Sequence, residues 1–204
     1  MWDGYVLNDF VPYWELWDLP RREARAEYNR VMGLKDHRLR QLRGLLGRSG
    51  VELDFSDRSV ADLDAWFIEA MEPLVGHEVP NGRSLSVCED IALFLGDLLI
   101  DRLPGLRWEF FIWGKKSMSY QNHVIYGYPG RETLRLNTGL SGMVHGYGVR
   151  VLEDRAGVRE VVVPGLEGPF AGAVIELPPL DREFFAGVVQ GATDRYYRDL
   201  SEDA

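Results

Sequence analysis

Cysteine is nearly absent. Cys88 is the only one in 204 residues, so the chain cannot form an internal disulfide. A reducing cytoplasm is therefore the expected compartment. Cys88 also lies among apolar residues at helical spacing, where a lone thiol reads as inert core rather than as a nucleophile. No apolar run approaches the roughly 20 residues that cross a bilayer, so no membrane is expected as a partner. The opening stretch MWDGYVLNDF has neither a basic region nor an apolar one and does not read as a signal peptide. Internal repeats and low-complexity segments are missing as well.

The motifs of familiar chemistry are missing too. The four histidines, His37, His77, His123 and His145, form no HxH, no HExxH and no Cys/His pair at metal spacing. A metal site would need distant residues, for instance His123 and His145 with Asp90. Two hydrogen-bonded sheet histidines are the plainer reading, so no metal and no cofactor are expected. Residues 139–148, GLSGMVHGYG, place Ser141 in a glycine-rich setting. A nucleophile elbow needs GxSxG, and here the second glycine is one position early. The segment reads as a flexible loop between strands, the kind of element that carries binding residues.

What the chain does have is apolar and aromatic content, 46% and 12% of residues. That is enough for one well-packed domain over 1–204. Residues 84–128 are the most informative. Val87, Ile91, Leu95 and Leu98 form one helical stripe, and Ala92, Phe94 and Leu99 widen it past half the circumference, as in a core helix. Ser84 or Ser86 is its expected cap, with Glu89 and Asp90 favoured near its positive end. Pro104-Gly105 stops it. Leu106 to Trp113 and His123 to Tyr128 read as a hairpin, one face of which carries Phe111 and Trp113 and needs a cover.

The other elements are helices over 20–46, with Gly33 a potential break, and 60–75, capped by Ser59. Strands are expected at 51–55, 134–137, 147–153, 158–163 and 173–177, the third and fourth pairing across Asp154–Gly157, and a last helix over 181–200. Helices, then strands, then a helix predict an α+β fold, an antiparallel sheet with N-terminal helices and a C-terminal helix packed on it. Residues 1–18 carry six aromatics, Trp2, Tyr5, Phe10, Tyr13, Trp14 and Trp17, without a period. Such an arm should cover apolar surface, on its own chain or on a second copy in a homodimer.

Net charge is −9, and residues 20–48 hold nine basic against three acidic side chains. An acidic remainder argues against nucleic acid. The basic stretch reads as the solvated face of an amphipathic helix pairing with that remainder. Lys115, Lys116 and Tyr120 fall at the hairpin tip, where they serve solubility or an anionic contact.

The strings DIALFLGD (Asp90 to Asp97), PGLRWE (Pro104 to Glu109), EYNRVMGLKDHRLRQLRGLL (Glu27 to Leu46) and LDAWF (Leu63 to Phe67) resemble motifs of uncharacterised proteins of high-GC bacteria. Some proteins of that look are toxin-immunity proteins, small, acidic and non-enzymatic. The resemblance implies a protein partner, a basic toxin among the partners it suggests, and transfers no catalytic residue. The expected function is thus a non-enzymatic protein-binding module. The alternative is a small-molecule-binding or enzymatic domain whose site lies near the sheet and the 139–148 segment, with His123, His145, Ser141, Lys115, Lys116 and Tyr120 as candidate ligand-binding residues.

Overall fold

The computed structural model describes residues 2–75, 80–130, 137–162 and 174–202. The α+β class holds: the described residues form five helices with small antiparallel sheets of three and two strands. Helix α1 spans Arg21–Gly47, α2 Asp57–Ala70, α3 Gly82–Arg102, α4 Leu140–Arg155 and α5 Phe184–Glu202. Strands β1 (Arg107–Phe110), β2 (His123–Tyr126) and β3 (Asn137–Thr138) form one sheet in that order, and β4 (Glu160–Val162) pairs β5 (Val174–Glu176). None of the described helices is long and apolar enough to cross a membrane.

Helix α3 is the axis of the core. Thirteen of its 21 residues are buried, Ile91 and Leu95 completely, so it is packed on every side. Helices α1, α4 and α5 all lie against it, and α2 supports α5. Its cap is Asn81, whose side chain accepts the N–H groups of Arg83 and Ser84. Neither serine caps because each is bonded to a neighbouring segment. Ser84 Oγ binds the backbone of Glu72, and Ser86 Oγ accepts the N–H of Asn8 at 2.8 Å. Gly96 has no room for a side chain, since a Cβ there would run into the indole of Trp108. That close approach lets Trp108 donate to Asp97 at 2.9 Å and seats β1 on the helix.

The hairpin register pairs Trp108 with Ile125 and Phe110 with His123, with both strands shorter than the apolar pattern suggests. Phe111 is buried, whereas Trp113 stays half-exposed in the turn. Several other boundaries differ. Gly33 does not break α1. Ser56 rather than Ser59 caps α2, because Ser59 Oγ is bonded to the backbone of Asp54. Residues 51–55 form no strand. Of the expected strands at 134–137, 158–163 and 173–177, residues 134–136, 163 and 173 lie outside the described residues, as does His77.

The largest correction is α4. Residues 139–148 are not a loop, and 147–153 do not pair with 158–163. Leu140, Val144, Tyr147 and Val151 repeat at helical spacing and are all buried. This stripe outweighs the low helix propensity of glycine and β-branched residues. Gly148 lets α4 approach closely, since a Cβ would meet Met71 Sδ at 3.3 Å and Cys88 Sγ at 3.4 Å. Arg155 at the far end donates to the carbonyls of Ile68 and Met71, fastening α4 to the end of α2. Helix α5 is capped at long range. The Asp64 carboxylate on α2 accepts the N–H groups of Phe185 and Ala186 at 2.8 and 3.1 Å. Burial pushes that carboxyl up to about 6 against the pull of the two N–H groups.

Asp90 is also a correction. It lies in the third turn of α3, fully buried, and its role there is not helix-end electrostatics. Arg38, expected on a solvated face, points inward and grips it with two bonds, Nε–H to Oδ1 at 2.9 Å and Nη2–H to Oδ2 at 2.7 Å. The Tyr5 hydroxyl donates to Oδ2 at 2.5 Å, and Arg38 Nη1–H donates to the carbonyl of Val6 at 2.7 Å. The aromatic arm is thereby bound to its own chain, with Trp2 edge-on to Trp66 and Tyr5 and Leu16 buried. Leaving one buried charge without its partner costs about 3–5 kcal/mol. Arg38→Met should therefore lower unfolding free energy in urea by about that much and speed proteolysis within residues 2–20, and Arg38→Met/Asp90→Leu should recover most of the loss. A single variant as stable as the parent contradicts the tie.

Candidate functional site

Helices α4 and α5 run on different supports. The first packs chiefly on α3, the second on α2 and α3. They touch where Tyr147 stacks on Phe184, ring centroids 4.2 Å apart, with the Tyr147 hydroxyl donating to the carbonyl of Asp181. Beyond that contact they part and flank a cavity of about 1040 Å³ that is open to solvent on one side. Its α4 wall carries Gly139, Gly142, Met143, Gly146 and Arg150, and its α5 wall Gly187, Val188, Gly191 and Arg195. Tyr13 from the arm, Met118 and Asn122 from the β1–β2 turn, and Pro178 complete the lining.

Glycine shapes this space. A Cβ at Gly146, Gly187 or Gly191 would meet nothing within 4 Å. The core face of α5 instead uses Phe185, Val189, Ala192 and Tyr196 at helical spacing. The glycines thus sit on exposed faces turned away from the core, along the lining of the cavity.

Two candidate residues meet at its inner end. Ser141, in the first turn of α4, donates its hydroxyl to Glu89 Oε2 at 2.9 Å and lies 2.9 Å from His123 Nε2. With its one proton committed to the carboxylate, Ser141 Oγ accepts from His123, which assigns the Nε2–H tautomer. This is not a nucleophile relay. In such a relay the imidazole takes the serine's proton and the carboxylate sits on the far ring nitrogen. Here Glu89 Oε2 lies 3.7 Å from the same Nε2. The trio links α3, β2 and α4 and closes the cavity with polar groups.

His145 is not a sheet residue. It lies on α4 one turn beyond Ser141 and packs against Trp14 and Tyr13, with ring centroids 4.9 and 5.8 Å away. It backs the cavity wall rather than lining it. Asp90 is held by Arg38 and Tyr5, so it does not join the two histidines, and no group of three metal-ligating side chains occurs among the described residues. Lys115 and Tyr120 line a separate hollow of about 490 Å³ with Trp17, Arg21 and Gln121, and Lys116 is exposed beside it.

Asn122 and Arg150 were not among the candidates read from sequence. Asn122 is 5% exposed; its Nδ2 donates to the carbonyls of Tyr13 and Tyr120 at 3.3 and 3.2 Å, while its Oδ1 has no hydrogen-bond partner among the described residues. Two carbonyl acceptors on Nδ2 settle the amide orientation. Arg150 donates Nη2–H to the carbonyl of Pro178 at 2.7 Å and lies 3.9 Å from Asp154, and its buried Nε and Nη1 have no hydrogen-bond partner among the described residues. The usable sequence signal was the four-residue glycine spacing, 142–146 on one helix and 187–191 on the other.

Comparison with protein-family models, with curated proteins and with solved structures returned no match. The functional reading is carried by the geometry.

Burial holds the His145 imidazole below its ordinary 6.5, with Glu89 acting the other way. The unfolded chain therefore binds that proton more tightly than the folded one. Its stabilising contribution is complete above the unfolded value and lost as pH falls from there through the lower folded value. Melting temperatures between about pH 7.5 and about pH 5 should fall more steeply for the native chain than for His145→Gln. The comparison is made between variants because Asp64, raised by burial, contributes in the opposite sense over part of that range. Parallel curves contradict the assignment.

Proposed function

We propose that the chain binds a small organic molecule in the cavity between α4 and α5. One observation carries this: three mid-helix glycines, Gly146, Gly187 and Gly191, exposed along the cleft, border space that a side chain would enter without a clash. Glycine in a helix costs about 0.5–1 kcal/mol against alanine. Helix stability is given up at three positions to keep the volume open. The size supports the same reading, at the upper end of the roughly 300–1,000 Å³ usual for small-molecule sites. So does the lining, an apolar surface with a few convergent polar groups.

A protein partner is the second reading. Trp17, Trp113 and Met118 are 41, 41 and 80% exposed, and the Trp17 indole donates to the carbonyl of Met118. That supports an apolar contact patch beside Lys115 and Lys116. Its toxin-neutralising form rests on the resemblance alone.

The two readings separate with Gly187→Leu/Gly191→Leu. Both side chains enter open space and improve helix propensity, so the melting temperature should hold or rise. The neutral fluorescent probe N-phenylnaphthylamine should bind the native chain at one site and lose at least about tenfold in affinity to the filled variant. Equal binding by both forms contradicts the cavity reading and leaves the surface patch as the functional feature.

A further inference from the structure

The second hollow differs from the cavity in chemistry. It lies between the end of the arm and the β1–β2 turn and holds about 490 Å³. Trp17, Leu19 and Arg21 line one side, and Lys115, Tyr120 and Gln121 the other. The two sides are fastened to each other. Gln121 is buried, and its Nε2 donates to the carbonyls of Leu16 and Leu19 at 2.6 and 3.0 Å. Its backbone is left-handed at φ 61°, a conformation that a residue other than glycine keeps only where its surroundings impose it. Its own N–H donates to the carbonyl of Phe111 at 2.6 Å. The Trp17 indole donates to the carbonyl of Met118 at 3.1 Å. The hollow is therefore preformed, with its walls held at a fixed spacing.

Its lining holds two cations and no acid. Arg21 and Lys115 are exposed, and neither makes an ion pair or a side-chain hydrogen bond among the described residues. Other cations of the chain have acids: Arg30 has Asp9 and Glu27, Lys35 has Asp97, Arg38 has Asp90. The acids nearest along the chain, Asp18 and Glu23, lie outside the lining and make no ion pair either. In a chain of net charge −9, two uncompensated cations in one hollow favour an anion there. A phosphate monoester, close to a dianion at neutral pH, matches both charges, and arginine and lysine are the side chains that bind it. The volume lies within the roughly 300–1,000 Å³ of small-molecule sites, more than a bare phosphate ion fills. The remaining wall offers two rings, Trp17 and Tyr120, on which a planar group stacks.

We infer that this hollow binds a phosphate monoester carrying a planar ring, with the phosphate on Arg21 and Lys115 and the ring against Trp17. The inference concerns a different site from the cavity and does not rest on the cavity reading.

Calorimetry with phenyl phosphate, benzyl alcohol and inorganic phosphate tests it. Phenyl phosphate should bind the native chain at one site, at least about tenfold tighter than either of the other two. Its affinity should fall severalfold as sodium chloride is raised from about 50 to about 500 mM. Arg21→Gln/Lys115→Gln should lose at least about tenfold in affinity with the melting temperature unchanged, since both side chains are exposed, while Arg22→Gln, outside the lining, should bind as the native chain does. Trp17→Leu should remove the advantage of phenyl phosphate over inorganic phosphate. AMP in place of phenyl phosphate separates the two sources of this chemistry: tighter binding assigns a nucleotide, weaker binding a simple aryl phosphate. Benzyl alcohol bound as well as phenyl phosphate, binding insensitive to salt, or affinity that survives Arg21→Gln/Lys115→Gln overturns the phosphate assignment. Inorganic phosphate bound as well as phenyl phosphate by the native chain overturns the ring. No binding of phenyl phosphate at millimolar concentration overturns the site.

Discussion

One buried carboxylate organises the molecule. Asp90 sits within a helix packed on all sides, where an unpaired charge would be untenable. Burial pushes its pKa upward, and Arg38 with Tyr5 pulls it back. Arg38 comes from α1 and Tyr5 from the arm, so satisfying Asp90 brings two further segments onto α3. The arm then has no freedom to stray. It continues to Tyr13, whose carbonyl accepts from Asn122, and to Leu16 and Leu19, whose carbonyls accept from Gln121 Nε2. The buried ion pair, itself outside the cavity lining, thus fixes the segment that supplies one of its walls.

The opposite walls follow from how α4 and α5 are held. Gly148 and Arg155 draw α4 down onto α3 and α2, and Asp64 caps α5 from α2. Each helix is fastened to the core more than to its neighbour. The space between them is the consequence, and glycine keeps it open.

Local periodicity made much of this legible. Helix α3 and the burial of Ile91 and Leu95 come from apolar spacing, its stop from Pro104-Gly105 and the hairpin after it from aromatic and β-branched composition. Helix α4 did not yield to the same reading. Gly142, Gly146 and Gly148, with Val144, Val149 and Val151 interleaved, suggest loop and strand by propensity, and only the stripe Leu140–Val144–Tyr147–Val151 argues otherwise. Arg38 was hidden for another reason. Among nine basic residues on one amphipathic stretch, nothing local singles out the one whose partner lies 52 positions away. At the cavity, Ser141 and His123 were recognisable as residue types that bear chemistry. Glu89, Asn122 and Arg150 were not, because their significance lies in which hydrogen bonds they lack or share, and that is a property of the assembled chain.

The methionines offer the most direct test of the account. Met118 and Met143 line the cavity, while Met32 lies against the core and Met71 is buried within it. In a methyl-resolved NMR titration with N-phenylnaphthylamine, the Met118 and Met143 methyl signals should shift together along one saturating curve, while those of Met32 and Met71 stay in place. Saturable shifts at Met32 or Met71 with Met118 and Met143 unmoved, or no shift at any methionine, would contradict a ligand held between α4 and α5.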